Sequence, residues 1–235
     1  MQNYQRKDVK DPLNLIYKVY NFSEHRSSEA DNSISASQLL GPLYRTKLFL
    51  NGVAEDPGMI ADKFKRSAMI GSAVHKRFEE ALKYEDGIIQ EEYTERQIEL
   101  DGVTYTISGT FDLLEKNQDD TYTIMDIKTM YGRDRKEEQL AKDALQMSIY
   151  RWLNQDNYTI EDRAYVLVIS QSYNYEDAIP VRLKSIDWVQ NYIEEIIWSA
   201  LRNTKCDCFD GVKYNPCNYC SILACAHRKG DNNAK

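Results

Sequence analysis

No stretch of this 235-residue sequence is long and apolar enough to span a bilayer. The opening MQNYQRKDVKDPLNLIY lacks the apolar core and small-residue cleavage site of an export signal. Both absences lead to the expectation of a protein that is not secreted, makes no membrane contact, and is cytoplasmic or nucleoid-associated. An excess of positive charge is missing too. Thirty Lys and Arg face 37 Asp and Glu, for a formal charge of −7 and a pI of about 5.1. That excludes a wholly basic, non-specific coat for nucleic acid. It leaves room for an enzyme on nucleic acid, because bound divalent metal and a local basic groove offset a negative whole-molecule charge. Cysteine is absent from the first 205 residues, and all five lie between Cys206 and Cys225. Without an export signal, such clustering suggests a metal site rather than a disulfide framework. Internal repeats and low-complexity blocks are absent as well. What is present, 42% hydrophobic and 29% charged side chains, excludes a disordered chain and suits one large domain or a domain with an appendage.

Residues 1–34 are polar and read as an N-terminal segment ending in the linker-like SEHRSSEADNS. From Ser35, SASQLLGPLYRTKLFL has helical spacing broken at Gly41-Pro42. Val74, Phe78, Ala81 and Leu82 place an amphipathic helix over 63–84, stopped near Asp86-Gly87. The period then shifts to two. EYTERQIEL, a turn at Asp101-Gly102 and VTYTISGTFDLLEK predict a hairpin, and TYTIMDIKT another strand. A helix over 136–154, the strands RAYVLVIS and AIPVRL, and a last helix begun at Ser185 complete the series. This order predicts one α/β domain over 35–204, with a mixed central sheet flanked by helices, and a cysteine-rich C-terminal tail over 205–235.

Four short features carry chemistry. Gly109-Thr110-Phe111-Asp112 is expected on one strand and Asp126-Ile127-Lys128 at the end of the next. Antiparallel neighbours can bring Asp112 and Asp126 together, and two such carboxylates with a backbone carbonyl suit magnesium or manganese. Residues i and i+2 share a sheet face, so Lys128 points where Asp126 points, while Ile127 turns inward and offers its carbonyl. A lysine beside bound metal can orient a water nucleophile and stabilise phosphoryl charge. Gln146 and Tyr150 share one face of the following helix, and His75 on the preceding helix offers a ligand or proton carrier. Each has a plainer reading: Asp112 and Lys128 as strand-end charges, His75 as a satisfied helical histidine, Gln146 and Tyr150 as packing residues. Arg133 and Arg135, just after Lys128, would contact the phosphate backbone at the mouth of the site or be solvated loop charges. Nothing in their spacing promotes Glu92 or Glu95.

These features in this order resemble the PD-(D/E)xK nuclease superfamily, and its RecB-like branch in particular, with similarity to AddB-type helicase-nucleases and CRISPR adaptation nucleases. The matching segments are GSAVHKRFEE, GTFD, DIK and QMSIY, over residues 71–150. The resemblance implies a restriction-endonuclease-like core and a metal-dependent deoxyribonuclease, often an exonuclease on single strands or DNA ends, leaving a 5′-phosphate and a 3′-hydroxyl. It implies His75, Asp112, Asp126 and the Ile127 carbonyl as ligands of Mg or Mn, Lys128 as the residue positioning water, and Gln146 and Tyr150 as strand contacts. DNA is the implied partner. A rival expectation is a non-catalytic or partner-activated nucleic-acid-binding subunit, working beside a helicase, integrase or recombination protein on a separate chain. The genuine Asp, Asp and Lys argue against a non-catalytic module.

In the tail, Cys217-x-x-Cys220 followed by Cys225 resembles the three-cysteine part of the family's four-iron–four-sulfur site. The family's fourth cysteine normally precedes a proline in the opening helix, where this chain has Gly41. Cys206 or Cys208 would have to replace it. Alternatively Cys206, Cys208, Cys217 and Cys220 suit tetrahedral zinc, or the site holds no metal. The expected order is cluster, zinc, none.

Overall fold

The computed structural model describes residues 32–53, 62–132, 134–172 and 175–204, with Asp207 beyond them; of residues 62–66 it describes the backbone alone. The chain runs β1 (Ser33–Ser35), α1 (Ala36–Leu39), α2 (Leu43–Leu50), α3 (Asp62–Leu82), β2 (Ile88–Gln90), β3 (Tyr93–Leu100), β4 (Val103–Thr110) and β5 (Leu113–Lys116). It continues through β6 (Tyr122–Met130), α4 (Glu137–Leu153), β7 (Arg163–Ser170), β8 (Glu176–Arg182) and α5 (Ile186–Arg202). No described helix is long and apolar enough to cross a membrane.

Local chemistry explains most boundaries. Ser35 caps α1 through a reciprocal capping box with Gln38. The break at Gly41-Pro42 separates α1 from α2, because proline cannot donate into the preceding turn. Asp101 and Gly102 both adopt positive φ, 50° and 73°. That is the left-handed pair a tight two-residue hairpin between β3 and β4 needs. Ser185 caps α5 through the Trp188 N–H at 3.4 Å, and Val189, Ile193, Ile197 and Ala200 bury one stripe of that helix.

The mixed α/β architecture is as the sequence predicts, but the strands form two mixed sheets rather than one. One has the order β1-β4-β3, the other β2-β5-β6-β7-β8. The cause is a break at Phe111-Asp112, where the expected long second hairpin strand divides into β4 and β5. Phe111 is buried there and anchors the bend. Two short strands were not expected. Ser33–Ser35 pairs in parallel with β4, and Ile88–Gln90 pairs with β5. In the larger sheet β6 lies parallel to β7 and antiparallel to β5. Helix α4 packs against strands of both sheets and carries the buried Met147, Ile149, Trp152 and Leu153 into the shared core. Helix α3 lies against β6, where Gly71 approaches Thr129 so closely that an added Cβ would sit 3.3 Å from its Oγ1.

Two polar contacts bind distant segments. Lys47 donates to the carbonyls of Leu201 and Asn203 at 3.0 and 2.9 Å, at the C-terminal end of α5. The Asp207 carboxylate accepts the Leu43 and Tyr44 N–H groups at 2.7 and 3.0 Å, satisfying the start of α2 that Pro42 cannot cap with a side chain.

Candidate active site

The site forms where the two sheets part. The β5–β6 ladder ends at Leu113↔Met125. Beyond it the Asp112 carboxylate takes the place of a ladder partner and accepts the Ile127 N–H at 2.7 Å. The carbonyl of the same residue is used as well. The Ile127 carbonyl lies 3.1 Å from His75 Nε2; a carbonyl only accepts, so Nε2 is the donor. His75 Nδ1 in turn faces Asp112 Oδ1 at 3.5 Å and Glu91 Oε1 at 3.7 Å. One ligand atom each from His75, Glu91 and Asp112 lies within 4.8 Å of the others. The two carboxylates are of the donor type that magnesium and manganese take, and the imidazole nitrogen is a general transition-metal donor.

Asp126 and Lys128 point together from β6, as the two-residue period requires. Lys128 Nζ is 2.7 Å from Asp126 Oδ2. It also donates to Gln146 Oε1 at 3.4 Å, while Gln146 Nε2 donates to the Tyr150 hydroxyl at 2.6 Å. The polar line therefore runs Asp126, Lys128, Gln146, Tyr150. Asp126 is only 2% exposed. Burial pushes its carboxyl up to about 7, against the pull of the Lys128 ammonium and with further upward push from Asp112. Burial, then the Asp126 charge, also raises the Tyr150 phenol above its ordinary range, so it stays protonated at neutral pH.

Gly109 owes its presence to this packing. A Cβ there would lie 2.7 Å from Tyr150 Cε1 and 3.1 Å from Leu153 Cδ1. The glycine lets α4 approach β4 closely enough to seat the tyrosine.

His75, Asp112, Asp126, Ile127 and Lys128 thus come together. Gln146 and Tyr150 come with them, but their polar atoms turn to Lys128 and to each other, and Tyr150 is 6% exposed with its ring in the core. Arg135 is a correction to the expected phosphate contact. Both its Nε and a terminal nitrogen bind the buried Asp143 carboxylate, the latter at 2.7 Å. A guanidinium held bidentately by a buried carboxylate is committed to the fold. Arg133 and the five cysteines, Cys206, Cys208, Cys217, Cys220 and Cys225, lie outside the described residues.

Glu91 escapes the sequence reading. It sits between β2 and β3 with φ at 48°, and its N–H donates to the Asp112 carbonyl at 3.1 Å. Neither periodicity nor motif spacing marks it; only pairing of β2 with β5 brings it beside His75. Its neighbours have ordinary partners. Glu92 accepts from the Tyr158 hydroxyl and Glu95 from the Tyr93 hydroxyl.

A model of the PD-(D/E)XK nuclease superfamily matches residues 41–225. The solved structure of SSO0001 superposes with a TM-score of 0.61 at 22% sequence identity, covering 92% of this chain and 96% of that one. At that identity the likeness is one of fold. No match was found among curated proteins.

Proposed function

The chain belongs to the PD-(D/E)XK nuclease superfamily, and on that premise we propose that it is a Mg- or Mn-dependent deoxyribonuclease of the RecB-like branch, acting as an exonuclease on single strands or DNA ends. The observation that carries the reading is the double use of Ile127. Its N–H orients Asp112 and its carbonyl meets His75, so one residue of β6 gathers both groups next to Asp126. His75, Asp112, Asp126 and the Ile127 carbonyl would hold the cation, with Glu91 beside them. When bound, the cation supplies Lewis acidity to the phosphodiester and makes water a stronger nucleophile.

The rest is work for this chain's own side chains. Lys128, held by Asp126 and Gln146, presents an ammonium that aligns water and offsets charge growing on the phosphoryl oxygens. Gln146 and Tyr150 keep that ammonium in place from behind. Asp126, its carboxyl raised by burial, is ready to lose its proton when positive charge arrives. In the tail, the cysteines would bind a four-iron–four-sulfur cluster, or zinc in its place, separately from the catalytic groups. Iron, sulfide and zinc analysis of anaerobically purified protein tests that part.

The function is tested with end-labelled single- and double-stranded DNA, with manganese, magnesium or EDTA. Stepwise shortening from single-stranded ends with metal, and none with EDTA, is the expected result. Pure protein that leaves both substrates intact with either metal would sink the reading.

A further inference from the structure

A cavity opens beside the C-terminal part of α4, at Arg151. Its volume is about 440 Å³, and Arg151, Asp162, Arg182, Lys184, Ser185 and Trp188 line it. Arg151 directly follows Tyr150 on α4, so the two side chains leave the helix about 100° apart. Arg182 binds Asp162 through Nε and a terminal nitrogen at 3.1 and 3.0 Å, which neutralises the one carboxylate of the lining. Two cations remain. Arg151 gives one nitrogen to the Lys184 carbonyl at 2.5 Å, while its Nε is shut from solvent with no partner among the described residues. Lys184 Nζ lies 5.3 Å over the Trp188 ring. Trp188 is 43% exposed and stacks on Tyr192 with centroids 5.3 Å apart and planes 10° off parallel.

Cations next to an exposed, pre-stacked aromatic are what an unpaired nucleic-acid strand uses: phosphate on the charges, base on the ring. We propose that this cavity is a second subsite for single-stranded nucleic acid, holding one backbone phosphate on Arg151 and Lys184 and stacking the adjoining base on Trp188. The proposal rests on the nuclease reading for the identity of the strand. The register Asp126↔Val166↔Ile179 followed by the run to Leu183 puts the subsite about 17 Å along and across the sheet from the catalytic carboxylate. That is within reach of a strand whose end is being cut. On binding, Lys184 leaves the ring face for the phosphate and the base takes its place.

The test uses the full chain in EDTA, so that cleavage is silent. The probes are labelled oligothymidylate of about ten nucleotides, a duplex of the same length, and inorganic phosphate. Trp188→Ala should weaken oligothymidylate binding by on the order of tenfold, and Trp188→Phe by less. Lys184→Gln should reduce the salt slope by about one. The duplex should bind the wild type and Trp188→Ala alike, and the melting temperatures should stay close. Unchanged oligothymidylate affinity in both Trp188→Ala and Lys184→Gln overturns the proposal. So does full competition by inorganic phosphate with no effect of Trp188→Ala, which would leave a simple anion site. The nuclease reading is judged separately, in manganese. Trp188-dependent binding by a wild type that never cleaves would refute that reading alone. Cleavage by a wild type whose binding ignores Trp188 would refute the subsite alone.

Discussion

Asp126, on the α4 side of β6, differs from His75, Glu91 and Asp112 in its water. Its side chain is 3% exposed, while His75, Glu91 and Asp112 keep 28, 30 and 14% and Lys128 keeps 23%. A carboxylate without water needs a cation beside it, and Lys128 supplies one at 2.7 Å. The more open group can trade water for a metal ion at little cost. The dry half would then set the charge and position of the lysine, and the wetter half would govern metal entry.

The largest effect should come from breaking both halves at their junction. Asp112→Ala removes the acceptor of the Ile127 N–H and a ligand at once. Cleavage should fall by on the order of a thousandfold. The fold should persist, since Asp112 lies at a strand break outside the core, and melting measured beside activity checks this. Full activity in that variant would refute the metal assignment. Lys128→Ala removes only the cation beside the dry Asp126 carboxylate. It should lower turnover by on the order of a hundredfold with little change in DNA affinity. Equal losses in both would make Lys128 a phosphate anchor instead.

The pH dependence of stability separates the halves without any substrate. The folded-state pKa of Asp126 is raised to about 7, so between about pH 4 and 7 the folded protein binds more protons than the unfolded chain. Metal-free stability should therefore fall as pH rises through that window and level off above it, by up to a few kcal/mol, roughly. Asp126→Asn should flatten this slope in EDTA melts at pH 5 and pH 8. If the slope persists in that variant, another group carries it.

Glu91→Gln probes the wetter half. Manganese affinity, read by titration against the free ion's magnetic resonance signal, should drop about tenfold, with Lys128-dependent turnover at saturating metal largely kept. No change in affinity would confine Glu91 to holding His75. The smallest effect belongs to Gly109→Ala, which crowds Tyr150 and should destabilise the protein by about 1–3 kcal/mol. Calorimetry checks it; a neutral result would show that Tyr150 can shift without loss.

Much of this was legible in the chain because it depends on near neighbours. The Asp101-Gly102 turn, the Ser185 cap, the interruption at Gly41-Pro42 and the shared facing of Asp126 and Lys128 all follow from dihedral preferences or from a period of two. Arg135 shows the opposite case. Eight residues from Asp143, it looks like a loop cation, and becomes a buried pair only once α4 is docked. Asp207 likewise reads as tail, yet it caps a helix 164 residues earlier.

Local sequence sets the longer helices and most strands, the family-like order of His75, Asp112, Asp126, Lys128, Gln146 and Tyr150, and the acidic charge. Those properties are written in local propensity and spacing. Long-range packing is what divides the sheet at Phe111-Asp112, joins Glu91 to His75, and sets Gln146 between Lys128 and the Tyr150 hydroxyl. It also decided that Asp126 loses its water and titrates near neutrality. Each of these depends on which distant segments meet and on how much solvent they exclude when they do, and no short window of sequence contains either quantity.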